Sequence, residues 1–132
     1  MCSSDLTALV YEPNGVTSGR GTLSDDILAA AGLDNLAPRL TGAAYGAVPL
    51  EAVVAAAPHL LVLDDSYTGT SSRAQAILRH RAFRSLASHT QAWRIRSRLW
   101  LCPGPWVADA VAGLAEQRQR ISAKLASAPK QE

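Results

Sequence analysis

Four consecutive apolar residues, Leu60-Leu61-Val62-Leu63, stand between His59 and two aspartates, Asp64 and Asp65. Successive side chains of a strand point to opposite faces, so a strand with no polar position must be covered on both sides. Pro58, just before it, ends whatever helix comes first. Few folds offer such a place. The commonest is the centre of a parallel sheet with helices packed on each face, with Asp64 and Asp65 at its C-terminal edge.

The rest of the chain fits that frame. TALVYEP (7–13) reads as a first strand closed by Pro13-Asn14-Gly15. NGVTSGRG (14–21) reads as a glycine-rich loop, but the Gly-Lys-Ser/Thr ending of a phosphate loop is absent. TLSDDILAAAG (22–32) carries Thr22 and Asp25 at capping-box spacing, with Leu23, Ile27, Leu28 and Ala31 on one helical face and Gly32 as terminator. A very short strand is expected near Leu36, and PRLTGAAYGAV (38–48) reads as loop. Pro49 suits the first turn of a helix reaching about Ala57. SYTGTSS (66–72) reads as a polar loop, and RAQAILRH (73–80) and AFRSLASH (82–89) as two short helices. SRLWLC (97–102) reads as another strand, with Trp100 in the core at its middle. Pro103-Gly104-Pro105 breaks it, and the longest helix follows, with Val107, Val111, Leu114, Ile121 and Leu125 along one face. Asp109 near its start and Arg118, Arg120 and Lys124 near its end suit the helix dipole. The order strand, helix, helix, strand, helices, strand, helix predicts α/β: a three-layer sandwich with a small, mainly parallel sheet and helices on both faces.

The 132 residues suffice for one domain with a core, and a hydrophobic share of 48% excludes a disordered chain. No window holds the ~20 apolar residues of a membrane helix, and no basic segment followed by an apolar stretch marks a signal peptide. A net charge of +2 is too mild to imply nucleic acid. The distribution is uneven: no acidic residue falls between Ser66 and Ala108, where Arg73, Arg79, Arg81, Arg84, Arg94, Arg96 and Arg98 all lie. A solvated basic face accounts for that run, with a docking surface for an acidic partner as the other reading. Cys2 and Cys102 have no metal-ligand spacing, and Cys102 reads as a small buried residue. MCSSDL (1–6) fits no pattern and is expected to be a non-native or disordered leader. Residues 7–125 form the domain and 126–132 a flexible tail.

Candidate chemistry is sparse. His59, His80 and His89 have no nucleophile setting beside them, and His59 reads as a turn residue. Asp64 and Asp65, at the edge where open α/β sheets bind ligands, could hold a divalent metal, or could simply be a polar strand exit. Tyr11, Tyr45, Tyr67, Trp100 and Trp106 fall in or beside strands and the loops after them. Such loops suit a flat or apolar ligand, although each aromatic taken alone fits a core as well. Glu51 sits in the first helical turn, where it complements the dipole.

Taken in order, YEPNGVTSGRGTLSDDILAAAGLDNLA (11–37), YGAVPLEAVVAAAPHLLVLDD (45–65) and LWLCPGPWVADAVAGLA (99–115) resemble the C-terminal lobe of a periplasmic substrate-binding protein. The class is the one serving ABC importers of iron–siderophores, haem and cobalamin. The resemblance runs from Thr7 to about Gln119, and rests on the order and spacing of several weak motifs. It implies a Rossmann-like lobe, one of two that close on a ligand, from a periplasmic parent peripheral to the membrane. It implies no catalytic residue, metal or cofactor. On this resemblance, the first lobe, the linking helix and the secretion signal are expected to lie outside this sequence.

The resemblance further implies that Glu51 meets arginines of the ABC permease and that Tyr45 faces the cleft. Trp106 stands after Pro-Gly-Pro, where many siderophore-binding relatives carry an arginine, which favours cobalamin, haem or a neutral siderophore complex over a strongly anionic ligand. Tyr67 is a further ligand candidate, and Arg20 or Arg73 could supply charge. The expected partners are a metal-chelate small molecule and the permease, with no nucleic acid. The competing expectation is a small doubly wound enzyme or regulatory domain using Asp64 and Asp65 with a metal.

Overall fold

The computed structural model describes residues 6–12, 15–64, 79–100 and 102–127. Its central sheet has four parallel strands in the order β3-β1-β5-β6, formed by β1 (Thr7–Tyr11), β3 (Asp34–Asn35), β5 (Leu60–Asp64) and β6 (Gln91–Ile95). A separate antiparallel ribbon pairs β2 (Val16–Ser18) with β4 (Tyr45–Ala47). The helices are α1 (Leu23–Ala30), α2 (Ala37–Thr41), α3 (Leu50–Ala56), α4 (Arg81–Leu86) and α5 (Val107–Ser127).

The apolar run Leu60–Leu63 lies in β5, the second interior strand of this sheet. Alternation divides its side chains between two cores. Leu60 and Val62 join Ala8 and Val10 of β1 against Ile27 and Leu28 of α1 and Ala110, Leu114 and Ile121 of α5. Leu61 and Leu63 join Leu9 and Tyr11 against Ala37 of α2, Val53 of α3, and Phe83 and Leu86 of α4. Each fully buried leucine or valine contributes about 1.5–3 kcal/mol, so a sheet covered on both sides is what this composition favours. The mainly parallel three-layer α/β architecture is the one expected from the sequence.

Several local expectations are corrected. The stretch 14–21 is not all loop: Val16–Ser18 forms β2, paired with a strand far along the chain, Ser18 with Tyr45 and Val16 with Ala47. The stretch 38–48 is not loop either. It holds most of α2, whose Pro38 sits in the first turn and whose Gly42 closes it at φ 64°, and then β4. Pro38 and Gly42 bracket a helix there, and a three-residue strand centred on Gly46 carries no local pattern.

The last strand is Gln91–Ile95, not 97–102. β6 is an edge strand and exposes Ala92 and Arg94 while Ile95 is buried, so it alternates instead of running apolar. Ser97–Leu99 is a short 3-10 helix, and Trp100 after it is a core plug only 2% exposed, outside any strand. Cys102 is exposed, not buried, because it lies in the turn before α5. Leu125 is half exposed, since the end of α5 leaves the apolar face that Leu114 and Ile121 occupy. Of the two short helices, AFRSLASH corresponds to α4, while 73–78 lie outside the described residues. His59 stands in the turn before β5, as expected.

Candidate functional site

Parallel strands deliver their C-terminal ends to one edge, and the chain leaves β1, β5 and β6 there. The β2–β4 ribbon is fastened to the end of β1. Glu12 N–H donates to the Val16 carbonyl at 2.8 Å, and Val48 N–H donates to Gly15 O at 2.8 Å. The Tyr11 hydroxyl donates to the Val48 carbonyl at 3.3 Å, which assigns Tyr11 to the scaffold. Gly15 has φ 78°, and a Cβ there would lie 3.1 Å from the Tyr11 hydroxyl and 3.2 Å from Val48 O. Only glycine fits a backbone both left-handed and so closely approached.

Asn35 locks the same region from beneath. Its carboxamide donates to Ser18 O and to Asp25 Oδ1, both at 3.0 Å, and its Oδ1 accepts Ala37 N–H at 3.1 Å. One buried side chain thus ties β2, α1 and α2 together. Asp25 is thereby diverted from a reciprocal capping box. Thr22 does cap α1, accepting Asp25 N–H at 3.2 Å, but its own hydroxyl donates to Gly19 O at 2.8 Å.

On this frame Tyr45 is 64% exposed, the most open large apolar side chain described. Beside it, Arg20, Arg39, Ala43 and Ala44 line a hollow of about 290 Å³. Arg39 is engaged with Asp34 at 2.6 Å, so Arg20 is the cation left facing this hollow.

Trp106 lies across the sheet, between β6 and α5. Its indole N–H donates to the Cys102 carbonyl at 2.9 Å, and the ring covers Gly104 so closely that any Cβ there would collide with it. With Arg98, Leu99, Cys102 and Asp109 it lines a hollow of about 560 Å³. Arg20 and Trp106 therefore belong to two hollows with no shared lining residue. Sequence reasoning misses Arg98 as a neighbour of Trp106, because 97–102 reads as a strand.

Glu51 is exposed in the first turn of α3, two positions after the N-cap Pro49. Between it and Tyr45 the chain passes through buried Val48, which separates an open ribbon residue from an open helix-terminal carboxylate. Tyr67, Asp65 and Arg73 lie outside the described residues. Asp64 ends β5 at the expected edge. Among the described residues no group of three or more His, Cys, Asp or Glu is placed to hold a metal ion.

No family model matches the chain, and no curated protein matches it. Solved structures do. The periplasmic haem-binding protein RhuT from Roseiflexus sp. RS-1 superposes with a TM-score of 0.74 over 92% of this chain, at 20% identity. The chain has the fold of one lobe of a two-lobed periplasmic binding protein. The vitamin B12 binding protein BtuF of Vibrio cholerae gives a TM-score of 0.70 over 91% of this chain at 15% identity. An ABC-type Fe3+-hydroxamate transport structure from Saccharomonospora viridis gives 0.65 over 84% at 19%. The lobe spans 48%, 46% and 40% of those three chains respectively, less than half of each.

Proposed function

We propose that the chain is the C-terminal lobe of an ABC importer's substrate-binding protein, forming one wall of a cleft for an iron–siderophore, haem or cobalamin-type ligand. The observation that carries this reading is the placement of Tyr45 and Trp106. Both are large, open aromatics on a lobe whose fold matches binding proteins named for those ligands. Exposed aromatics on a fixed frame suit a flat or apolar ligand, because they offer contact area with little side-chain entropy to lose. Arg20 on one hollow and Arg98 on the other supply charge for polar substituents at the ligand's rim.

The lobe works by binding, not by catalysis, and belongs to a periplasmic parent peripheral to the membrane. Glu51 is its docking carboxylate towards the permease. An exposed acid in a first helical turn is well placed to steer a basic partner and set its register.

The direct test joins this lobe to a first lobe and linking helix from its own gene. The completed receptor is titrated with haemin, cyanocobalamin and a neutral ferric hydroxamate while tryptophan emission is followed. Saturable quenching by one of them, weakened by about tenfold or more in Tyr45→Ala and Trp106→Ala, is the expected result. Quenching by none of the three, or affinities untouched by both substitutions, overturns it.

A further inference from the structure

At the opposite edge of the sheet, where β1, β5 and β6 begin, two imidazoles lie with ring centroids 5.1 Å apart and planes at 40°. His59 precedes β5, and His89 lies between α4 and β6. Their hydrogen bonds fix both tautomers. Thr7 N–H donates to His59 Nδ1 at 3.1 Å, so that nitrogen carries a lone pair and the proton sits on Nε2. The Thr7 hydroxyl accepts the His59 backbone N–H at 3.3 Å, closing a reciprocal clasp between the starts of β1 and β5. The Ala57 carbonyl, which can only accept, lies 3.0 Å from His89 Nε2. His89 therefore carries its proton on Nε2 and presents Nδ1 as a lone pair.

The two rings answer an added proton differently. On His89 Nδ1 it leaves the bond to Ala57 intact. On His59 Nδ1 it would confront the Thr7 N–H and turn instead to the Thr7 hydroxyl, 3.0 Å from that nitrogen. Burial and the neighbouring His89 both hold His59 below the usual histidine value.

Both rings line a hollow of about 130 Å³ together with Ser88, Thr90, Lys124 and Leu125. The Thr90 hydroxyl is committed to the Pro58 carbonyl at 2.6 Å. Lys124 is the only other charged group facing the histidine pair, and no acidic side chain lines the hollow among the described residues. An anion here would meet an ammonium and imidazole N–H donors with no acidic side chain competing for them.

We propose that this hollow is a small-oxyanion site, in which a carboxylate or phosphate group sits against the His89 and His59 imidazoles and Lys124. It lies at the far edge of the sheet from Tyr45 and Trp106, so it is independent of the ligand cleft. Charge-assisted hydrogen bonds hold the anion, and its affinity rises as pH falls through the range where imidazole gains its proton.

The test follows histidine ring resonances of the 132-residue chain by NMR during titration with inorganic phosphate and, separately, acetate. Saturable shifts of both rings are expected, about tenfold tighter near pH 5.5 than near pH 7.5, since imidazole charge changes across that span. Phosphate alone acting identifies a phosphate-type site, and both acting identifies a site that takes carboxylates too. His89→Gln and Lys124→Ala, checked for folding by circular dichroism, should each weaken binding, whereas His89→Lys should bind with little dependence on pH. Absence of saturable shifts at the lower pH overturns the proposal. So does binding that is equal at both pH values in the unsubstituted chain.

Discussion

Asn35 and Asp25 are joined by a 3.0 Å bond from carboxamide to carboxylate, which ties β3 to α1 beside the β2–α1 turn that carries Arg20. Asn35 is only 9% exposed and also holds Ser18 O and Ala37 N–H. Truncation would leave those two backbone groups and the Asp25 oxygen without this partner. Asn35→Ala should therefore cost about 1–3 kcal/mol, a fall read directly from urea unfolding midpoints. Asn35→Asp should also destabilise, because it replaces the two donated bonds with a carboxylate facing Asp25 and the Ser18 carbonyl. A midpoint unchanged in both variants would remove Asn35 from the scaffold.

What the sequence made legible was whatever local chemistry decides. Leu60–Leu63, with no polar position, forces a covered strand, and Thr22, Gly32 and Pro58 punctuate helices through their own side chains or backbone angles. The β2–β4 ribbon was not legible, because its pairing depends on Tyr11 and Gly15 meeting Val48 far along the chain. β6 was misplaced by the apolar pull of Leu99-Trp100-Leu101, when an edge strand announces itself by alternation, as in Gln91–Ile95. At the site, Tyr45, Trp106 and Glu51 were named through a family resemblance, and each proves exposed. Arg98 beside Trp106 needed the turn geometry after β6, which no periodicity encodes.

Gly104 is expected to be the support of the Trp106 ring. Any side chain there enters the volume of the indole, which is a flexible, part-exposed group and can swing away. Gly104→Ala should leave the thermal midpoint nearly unchanged, yet shift Trp106 emission to the red by exposing the ring and breaking its bond to the Cys102 carbonyl. In the completed receptor the same variant should lose affinity by about tenfold, in line with truncation of one aromatic anchor. Unchanged emission would show that the ring is held elsewhere.

Glu51→Ala separates docking from folding and from capture. The carboxylate is solvent-exposed in the first turn of a seven-residue helix, where it contributes no more than about 0.3–1 kcal/mol through the dipole. Ligand affinity of the completed receptor should therefore hold, while uptake through its permease in reconstituted vesicles should fall several-fold. Glu51→Gln should fall as far as Glu51→Ala if charge is what the permease reads, and high salt should erase the difference from the parent. Uptake equal to the parent at low salt would leave Glu51 with the helix alone.

His59 makes the lobe's stability depend on pH on the acid side. In the folded chain, burial first and the neighbouring His89 second keep the ring below the usual value, and the neutral ring accepts Thr7 N–H. The unfolded chain gains a proton near the ordinary value of about 6.5, which the folded chain at first refuses. The stability that His59 contributes is therefore full above that value, declines as pH falls below it, and is spent once the folded pKa is passed. Urea midpoints measured in phosphate-free buffer from about pH 8 to about pH 5 should show this decline on the acid side. In His59→Gln, whose amide keeps a polar partner near Thr7 but does not titrate, the histidine part of the slope should vanish. His89→Gln should flatten the slope only in part, because burial of His59 remains after its charged neighbour has gone. A slope identical in all three proteins would place the acid sensitivity outside this pair.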